Sequence, residues 1–212
     1  MQIKIFKETD IKEKEKTRSL YEKCFDEGKN EFVDYYYDTI IKRNVIVALT
    51  ADDEIVSMVH LNPYIYNVLG NIVKVYYLVA VATKEENRGK GYMKKVLDAA
   101  IKYMYDMKVP LCYIVPDTIA LEKTYEHFGF ERLCKFTVDK FSKDTYDIFP
   151  VENEEYKNLM KMEQYFLEKE SKEYIDELSS KIVMFKLINK ESFSIKSLED
   201  IKAKKIYVCQ EV

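Results

Sequence analysis

The stretch Thr83-Lys84-Glu85-Glu86-Asn87-Arg88-Gly89-Lys90-Gly91-Tyr92-Met93 constrains this chain more than any other, because it follows an apolar run and opens an amphipathic helix. The chain has five glycines, and two of them, Gly89 and Gly91, fall together here. Glycine lets the backbone come close to a ligand, and the first N–H groups of a following helix face any anion lying there. Residues 72–82 are apolar on both sides and read as a strand buried on both faces, which delivers the loop. Beyond Gly91, Met93, Val96, Leu97, Ala100 and Met104 recur at helical spacing while Lys94, Lys95, Asp98 and Lys102 face elsewhere. A surface helix packed on a sheet follows from that spacing. An ordinary loop with a helix start is the competing reading.

Two common nucleotide loops do not fit. A Walker loop ends in Gly-Lys-Ser/Thr and a Rossmann fingerprint needs a third glycine or alanine, whereas Gly91 is followed by Tyr92 and Met93-Lys94. The pattern Arg88-x-x-Gly91 resembles the pyrophosphate loop of the GNAT acyl-CoA N-acyltransferases, usually written Gln/Arg-x-x-Gly-x-Gly/Ala. Met93 departs from it at the final small position, which would set the helix slightly farther from the cofactor.

Around the loop the chain divides into short elements. Residues 2–7 read as a strand, 9–21 as a helix anchored by Ile11, Leu20 and Tyr21, and 31–42 as a second helix with Phe32, Tyr35, Tyr36, Ile40 and Ile41 on one face. Residues 45–49 and 54–61 form a hairpin around Thr50-Ala51-Asp52-Asp53, with Pro63 marking a bulge or strand edge. Residues 111–115 make a strand that Pro116-Asp117 ends, Asp117 then capping a helix that Gly129 stops. Residues 130–141 extend into a further strand or hairpin arm. Residues 142–151 read as a linker, 152–181 as one long helix, and 182–188 and 206–209 as strands.

That order is the order of the GNAT fold: an α/β (α+β) architecture with a mixed twisted sheet, its central strands splayed between the fourth and fifth, flanked by helices. The expected domains are 1–141, a GNAT acetyltransferase domain, and 142–212, a C-terminal extension of long helix and short strands.

A second motif supports the first. Tyr125-Glu126-His127-Phe128-Gly129-Phe130 resembles the end of the fourth GNAT helix, where a tyrosine four residues ahead of the glycine sits near the sulfur of CoA and protonates the leaving thiolate. Further matches, Phe32-x-Asp34-Tyr35-Tyr36, Ile55 to Tyr64, Val81-Ala82-Thr83 and Val109-Pro110-Leu111, look like the N-terminal domain of the Eis-like acetyltransferases. Members of that group continue with a second GNAT-like domain and a sterol-carrier-like domain, of which residues 142–212 would be a shortened remnant or an unrelated cap.

The resemblance implies an acetyl-CoA-dependent N-acetyltransferase without a metal. Val81, Ala82, Thr83, Arg88, Gly89, Lys90, Gly91, Tyr92, Met93 and Lys94 would bind the cofactor, and Tyr125 would be the general acid. Residues 72–83 hold no carboxylate, so the strand glutamate that some GNAT enzymes use as base is absent. His60 is a candidate base, with a satisfied structural histidine as the competing reading, and ordered water could serve instead. His127 reads as capping its helix. Asp26, Glu27, Glu31, Asp34 and Asp38 border the expected acceptor cleft and could attract a cationic amine such as a polyamine or aminoglycoside. A solvated helix face is the competing reading.

Composition bounds the alternatives. A net charge of −3 gives no electrostatic footprint for nucleic acid, and no apolar run reaches membrane-spanning length. Cys24, Cys112, Cys134 and Cys209 lie far apart without a Cys-x-x-Cys pair, as expected of reduced thiols in a cytoplasmic protein. The acceptor would be a small-molecule amine, and a homo-oligomer is compatible with the sequence. A catalytically weak acyl-CoA-binding regulatory or interaction module is the other function class.

Overall fold

The computed structural model describes residues 1–25, 30–136, 144–151, 154–191, 195 and 197–208. Its chain forms two compact units, Met1–Pro63 with Tyr76–Lys108, and Tyr64–Val75 with Val109–Val212. The architecture is the mixed α/β one expected, a multi-stranded sheet with flanking helices.

The first unit begins with β1 (Gln2–Phe6), α1 (Ile11–Glu15), α2 (Arg18–Phe25) and α3 (Asn30–Asp38). A 3-10 turn (Ile40–Lys42) leads into β2 (Val45–Ala51), and β3 (Glu54–Val68), β4 (Asn71–Thr83) and α4 (Tyr92–Asp106) follow, the end of β3 and the start of β4, from Tyr64 to Val75, belonging to the second unit. Its strands lie in the order β1-β2-β3-β4, and β2 is antiparallel to both neighbours. Every residue of Val45–Leu49 is buried, so this strand is covered on both faces. Helix α4 packs over β2 and β1 with Val96, Leu97, Ala100 and Met104 buried, the stripe expected from the spacing.

Three expectations for this unit are corrected. The single helix over 9–21 is two helices. Lys14 is fully buried and sends its ammonium to the carbonyls of Ile41 and Asn44, at 2.6 and 2.5 Å. Thr17 then turns its hydroxyl onto the Lys14 carbonyl at 2.6 Å, a local bond that competes with the helix. The helix over 31–42 ends at Asp38 and tightens into the 3-10 turn. Pro63 does not end β3, which runs through it to Val68.

The second unit holds β5 (Leu111–Ile114), α5 (Ile119–Glu126), β6 (Glu131–Lys135), β7 (Ile148–Pro150), α6 (Glu154–Leu167), α7 (Lys172–Ser180), β8 (Ile182–Leu187) and α8 (Glu199–Lys202). β8 lies between β5 and β6, antiparallel to both. The stretch read as a linker contains β7, which pairs with Tyr66–Val68 at the far end of β3. The long helix over 152–181 breaks after Leu167. Lys169 and Glu170 make i−3 bonds, and the Ser171 hydroxyl accepts the Tyr174 N–H to start α7. Ile206 joins Ile148 by one parallel bridge in place of a full strand. Cys24, Cys112 and Cys134 are free thiols, and Cys209 lies outside the described residues. No helix among the described residues is long and apolar enough to cross a membrane.

Burial pulls the Lys14 ammonium down to about 8, so near neutral pH it still carries its proton for the two carbonyls. Lys14→Met fills the same space without donors and strands both acceptors. It is expected to lower the unfolding free energy by about 2–4 kcal/mol in urea titrations, with little change in secondary structure by circular dichroism.

Candidate functional site

In the first unit the candidate site grows from the end of β4. Ala80, buried within the strand, has φ +52°, a left-handed conformation rare for a residue with a side chain. Past it, the Ser57 hydroxyl on β3 donates to the Ala82 carbonyl at 2.9 Å and pairs with the Thr83 hydroxyl at 2.8 Å. The Lys84 N–H donates to the Val56 carbonyl at 2.9 Å, and the Lys84 ammonium meets Glu54 at 2.6 Å. A short 3-10 turn, Glu85–Asn87, carries the chain to Arg88, whose Nε donates back to the Thr83 carbonyl at 3.3 Å.

Gly89 (φ +74°) and Gly91 (φ +73°) then turn the backbone left-handed, and Gly91 is the N-cap of α4. An added Cβ at either would meet no atom within 4 Å, so this backbone is open. The first intrahelical bond runs from the Lys95 N–H to the Gly91 carbonyl, and an α-helix leaves the N–H groups of its first turn without acceptors of its own. Arg88, Lys90, Lys94 and Lys95 are exposed around the loop, with Lys94 bridged to Asp98 at 2.6 Å. Tyr92 and Met93 are half-buried, and Lys95 lies over the Tyr92 ring at 5.4 Å. The loop can therefore receive an anion on main-chain donors, with cations beside it. Ala80 is the site residue that sequence reasoning missed, since an alanine inside an apolar strand carries no signal.

In the second unit α5 presents Tyr125. Thr118 caps this helix by accepting the Leu121 N–H, where Asp117 was expected; Asp117 instead pairs with Lys181 at 2.6 Å. His127 is the C-cap residue, its Nδ1 at 2.7 Å from the Lys123 carbonyl, as read from the sequence. The Tyr125 ring is buried edge-on to Phe130, and burial holds its hydroxyl well above the usual phenol range. At neutral pH it keeps its proton. Arg132 on β6 reaches Glu122 at 2.5 Å and Glu126 at 3.7 Å, tying α5 to the sheet.

His60 sits inside the first unit. It is fully buried, its Nδ1 is 3.0 Å from the Tyr36 hydroxyl, and Asn62 and Asn44 complete a polar cluster around that hydroxyl. Burial, aided by the Lys14 charge, pulls its pKa down to about 3. This is the geometry of a neutral structural histidine. Of the acidic group, Asp34 is held by Arg18, which also binds Glu22 at 2.7 Å; Glu31 and Asp38 are exposed, and Asp26 and Glu27 lie outside the described residues. Among the described residues no cluster of His, Cys, Asp and Glu is arranged to hold a metal ion.

The family model described as "Acetyltransferase (GNAT) domain" matches residues 6–133. An aminoglycoside 6'-acetyltransferase type Ii has a similar structure, with 14% identity, 89% of this chain and 97% of that one covered, and a TM-score of 0.56. A conserved protein from Enterococcus faecalis V583, described as a probable N-acyltransferase, gives 19% identity and a TM-score of 0.54. That alignment covers 62% of this chain and 32% of the Enterococcus chain, so the present chain matches about a third of that protein's length. Glucosamine-6-phosphate N-acetyltransferase from Arabidopsis thaliana gives 19% identity, 67% and 100% coverage and a TM-score of 0.51. At such identities the likeness speaks for the fold. No curated protein matches the sequence.

The buried His60 gives a pH dependence with a definite sign. Its folded pKa of about 3 lies below the ordinary 6.5, so the unfolded chain takes up a proton first and stability falls as pH drops between the two values. The slope from this group approaches about 1.4 kcal/mol per pH unit. His60→Gln should be less acid-sensitive than the wild type by that slope, measured by urea unfolding at neutral pH and at about pH 4.5. Equal sensitivity would mean that His60 exchanges protons in the folded state and would restore it as a base.

Proposed function

Because the chain belongs to the GNAT acetyltransferase family, we propose that it is an acetyl-CoA-dependent N-acetyltransferase acting in the cytoplasm on a primary amine of a small molecule or peptide. The observation that carries this reading is the open left-handed backbone at Gly89 and Gly91, leading into the N-terminus of α4. A pyrophosphate needs close main-chain approach and N–H donors, and that stretch has both. Arg88, Lys90 and Lys94 supply positive charge around it, while Val81, Ala82 and Thr83 offer main-chain groups to the rest of the cofactor.

Acetyl-CoA supplies an activated thioester. The acceptor nitrogen attacks its carbonyl carbon, the C–S bond breaks, the nitrogen gives up a proton and the sulfur takes one. To Tyr125 we assign the proton taken by sulfur, since burial keeps its hydroxyl protonated at neutral pH. Main-chain N–H groups of β4 polarise the carbonyl. His60 is closed inside the core, so water receives the proton from nitrogen.

The activities named for the aminoglycoside and glucosamine-phosphate enzymes make a cationic amine or amino sugar the acceptor class to try first. Polyamines belong in the same panel. Within the family we keep the chain beside the Eis-like members on its Phe32-x-Asp34-Tyr35-Tyr36 and Ile55 to Tyr64 motifs, and read residues 142–212 as an extension of a GNAT domain at 1–141.

Two substitutions separate binding from chemistry. Gly91→Val forces a β-branched residue into φ +73° where the cofactor must approach. CoA affinity, read by calorimetry, should fall tenfold or more, and unchanged binding by a folded variant would remove the loop from the site. Tyr125→Phe keeps the ring packing and removes the proton donor, so turnover should fall roughly 10²-fold with CoA affinity and melting temperature nearly unchanged. The readout is free-thiol release with an acceptor drawn from the amine panel. CoA binding without thiol release for any amine would favour an acyl-CoA-binding module.

A further inference from the structure

Ser57 is the polar residue in the buried run Ile55-Val56-Ser57-Met58-Val59 of β3, and its side chain is fully enclosed. A hydroxyl buried among apolar neighbours is costly unless its bonds are made. Here they are made to a single place, the Ala82 carbonyl and the Thr83 hydroxyl at the end of β4. With its one proton given to Ala82, Ser57 accepts from Thr83.

The geometry that follows is dictated by peptide planarity. In a trans peptide the C=O and N–H point in opposite directions. Tying the Ala82 carbonyl to β3 sends the Thr83 N–H away from β3. Tying the Lys84 N–H to the Val56 carbonyl sends the Thr83 carbonyl the same way, where the Arg88 Nε meets it. Thr83 thus turns both main-chain groups to the side opposite β3. Three residues before Thr83 stands Ala80 with its positive φ, a conformation that persists only where the surroundings hold the chain on either side of it. Tyr76, Tyr77 and Leu78 are buried before it, and the Ser57 clamp comes after it.

We propose that Ser57 is a positioning residue for the cofactor, its hydroxyl fixing the plane of the Ala82–Thr83 peptide and so the direction in which β4 offers main-chain hydrogen bonds to CoA. This rests on the reading of residues 81–83 as part of the CoA site. Ser57 itself touches neither cofactor nor acceptor.

The test is calorimetry with CoA on wild type, Ser57→Ala, Ser57→Cys and Thr17→Val, with melting temperatures for all four. Thr17 is the control, a buried hydroxyl of the same unit that bonds the Lys14 carbonyl at 2.6 Å and the Tyr37 hydroxyl at 2.9 Å, outside the cofactor stretch. Thr17→Val should lose melting temperature and keep wild-type CoA affinity. Ser57→Ala should bind CoA about tenfold more weakly, the scale of one well-formed bond. Ser57→Cys, nearly isosteric with a weaker donor, should fall between, and serves alone if the alanine variant does not fold. Wild-type affinity in a folded Ser57 variant, or an equal loss in Thr17→Val, overturns the positioning role while leaving the CoA site intact. Failure of the wild type to bind CoA would overturn the cofactor reading itself, and this proposal with it.

Discussion

Left-handed backbone is costly for an L-residue, and β4 with the loop behind it adopts it three times, at Ala80, Gly89 and Gly91. The two glycines take the conformation cheaply and leave open space where a side chain would stand. Ala80 does not, and it lies where the chain is held before and behind. The strand can therefore leave the sheet without fraying, and the N-terminus of α4 is delivered at a fixed point. Cations, donors and the left-handed turns all inherit their positions from that exit.

The second unit applies the same economy with charge. Helix α5 carries Tyr125 and is anchored to β6 by Arg132 on Glu122 and Glu126, while the Lys186 ammonium of β8 lies 2.7 Å from where a Cβ on Gly129, just past the helix, would stand. A side chain at Gly129 would displace that ammonium. The position of Tyr125 thus depends on an ion pair between its helix and the neighbouring strand.

What was legible in the sequence was whatever the backbone needs a special residue to do. Gly89 and Gly91 announced the loop because few other residues accept those φ values, and the stripe Val96, Leu97, Ala100 and Met104 announced α4 because burial on one helical face needs that period. His127 was readable because a histidine one turn beyond Lys123 can reach its carbonyl. Lys14 was not, since nothing local tells a solvent lysine from one folded inward onto Ile41 and Asn44. The same holds for Asp34, whose pairing with Arg18 crosses from α3 to α2, and for Ser57, polar in an apolar strand for a reason that lies on its neighbour. The insertion of β8 between β5 and β6 was hidden too, because adjacency in a sheet is decided by long-range packing and not by order along the chain.

That insertion has a consequence for how the chain is made. The strand that pairs with both β5 and β6 begins at Ile182, far along the chain from Ile114 and Lys135, where its two partners end. Contacts so distant in sequence close late and slowly, because the intervening loop must be ordered before they repay it. On the ribosome β5 and β6 emerge well before their shared partner, each with an unpaired edge facing water, the state in which strands find wrong neighbours. The first unit has all of its strands by Thr83 and its covering helix by Asp106. The time the nascent chain spends exposed is therefore set in the second unit, by the synthesis of α6 and α7, which separate β7 from β8.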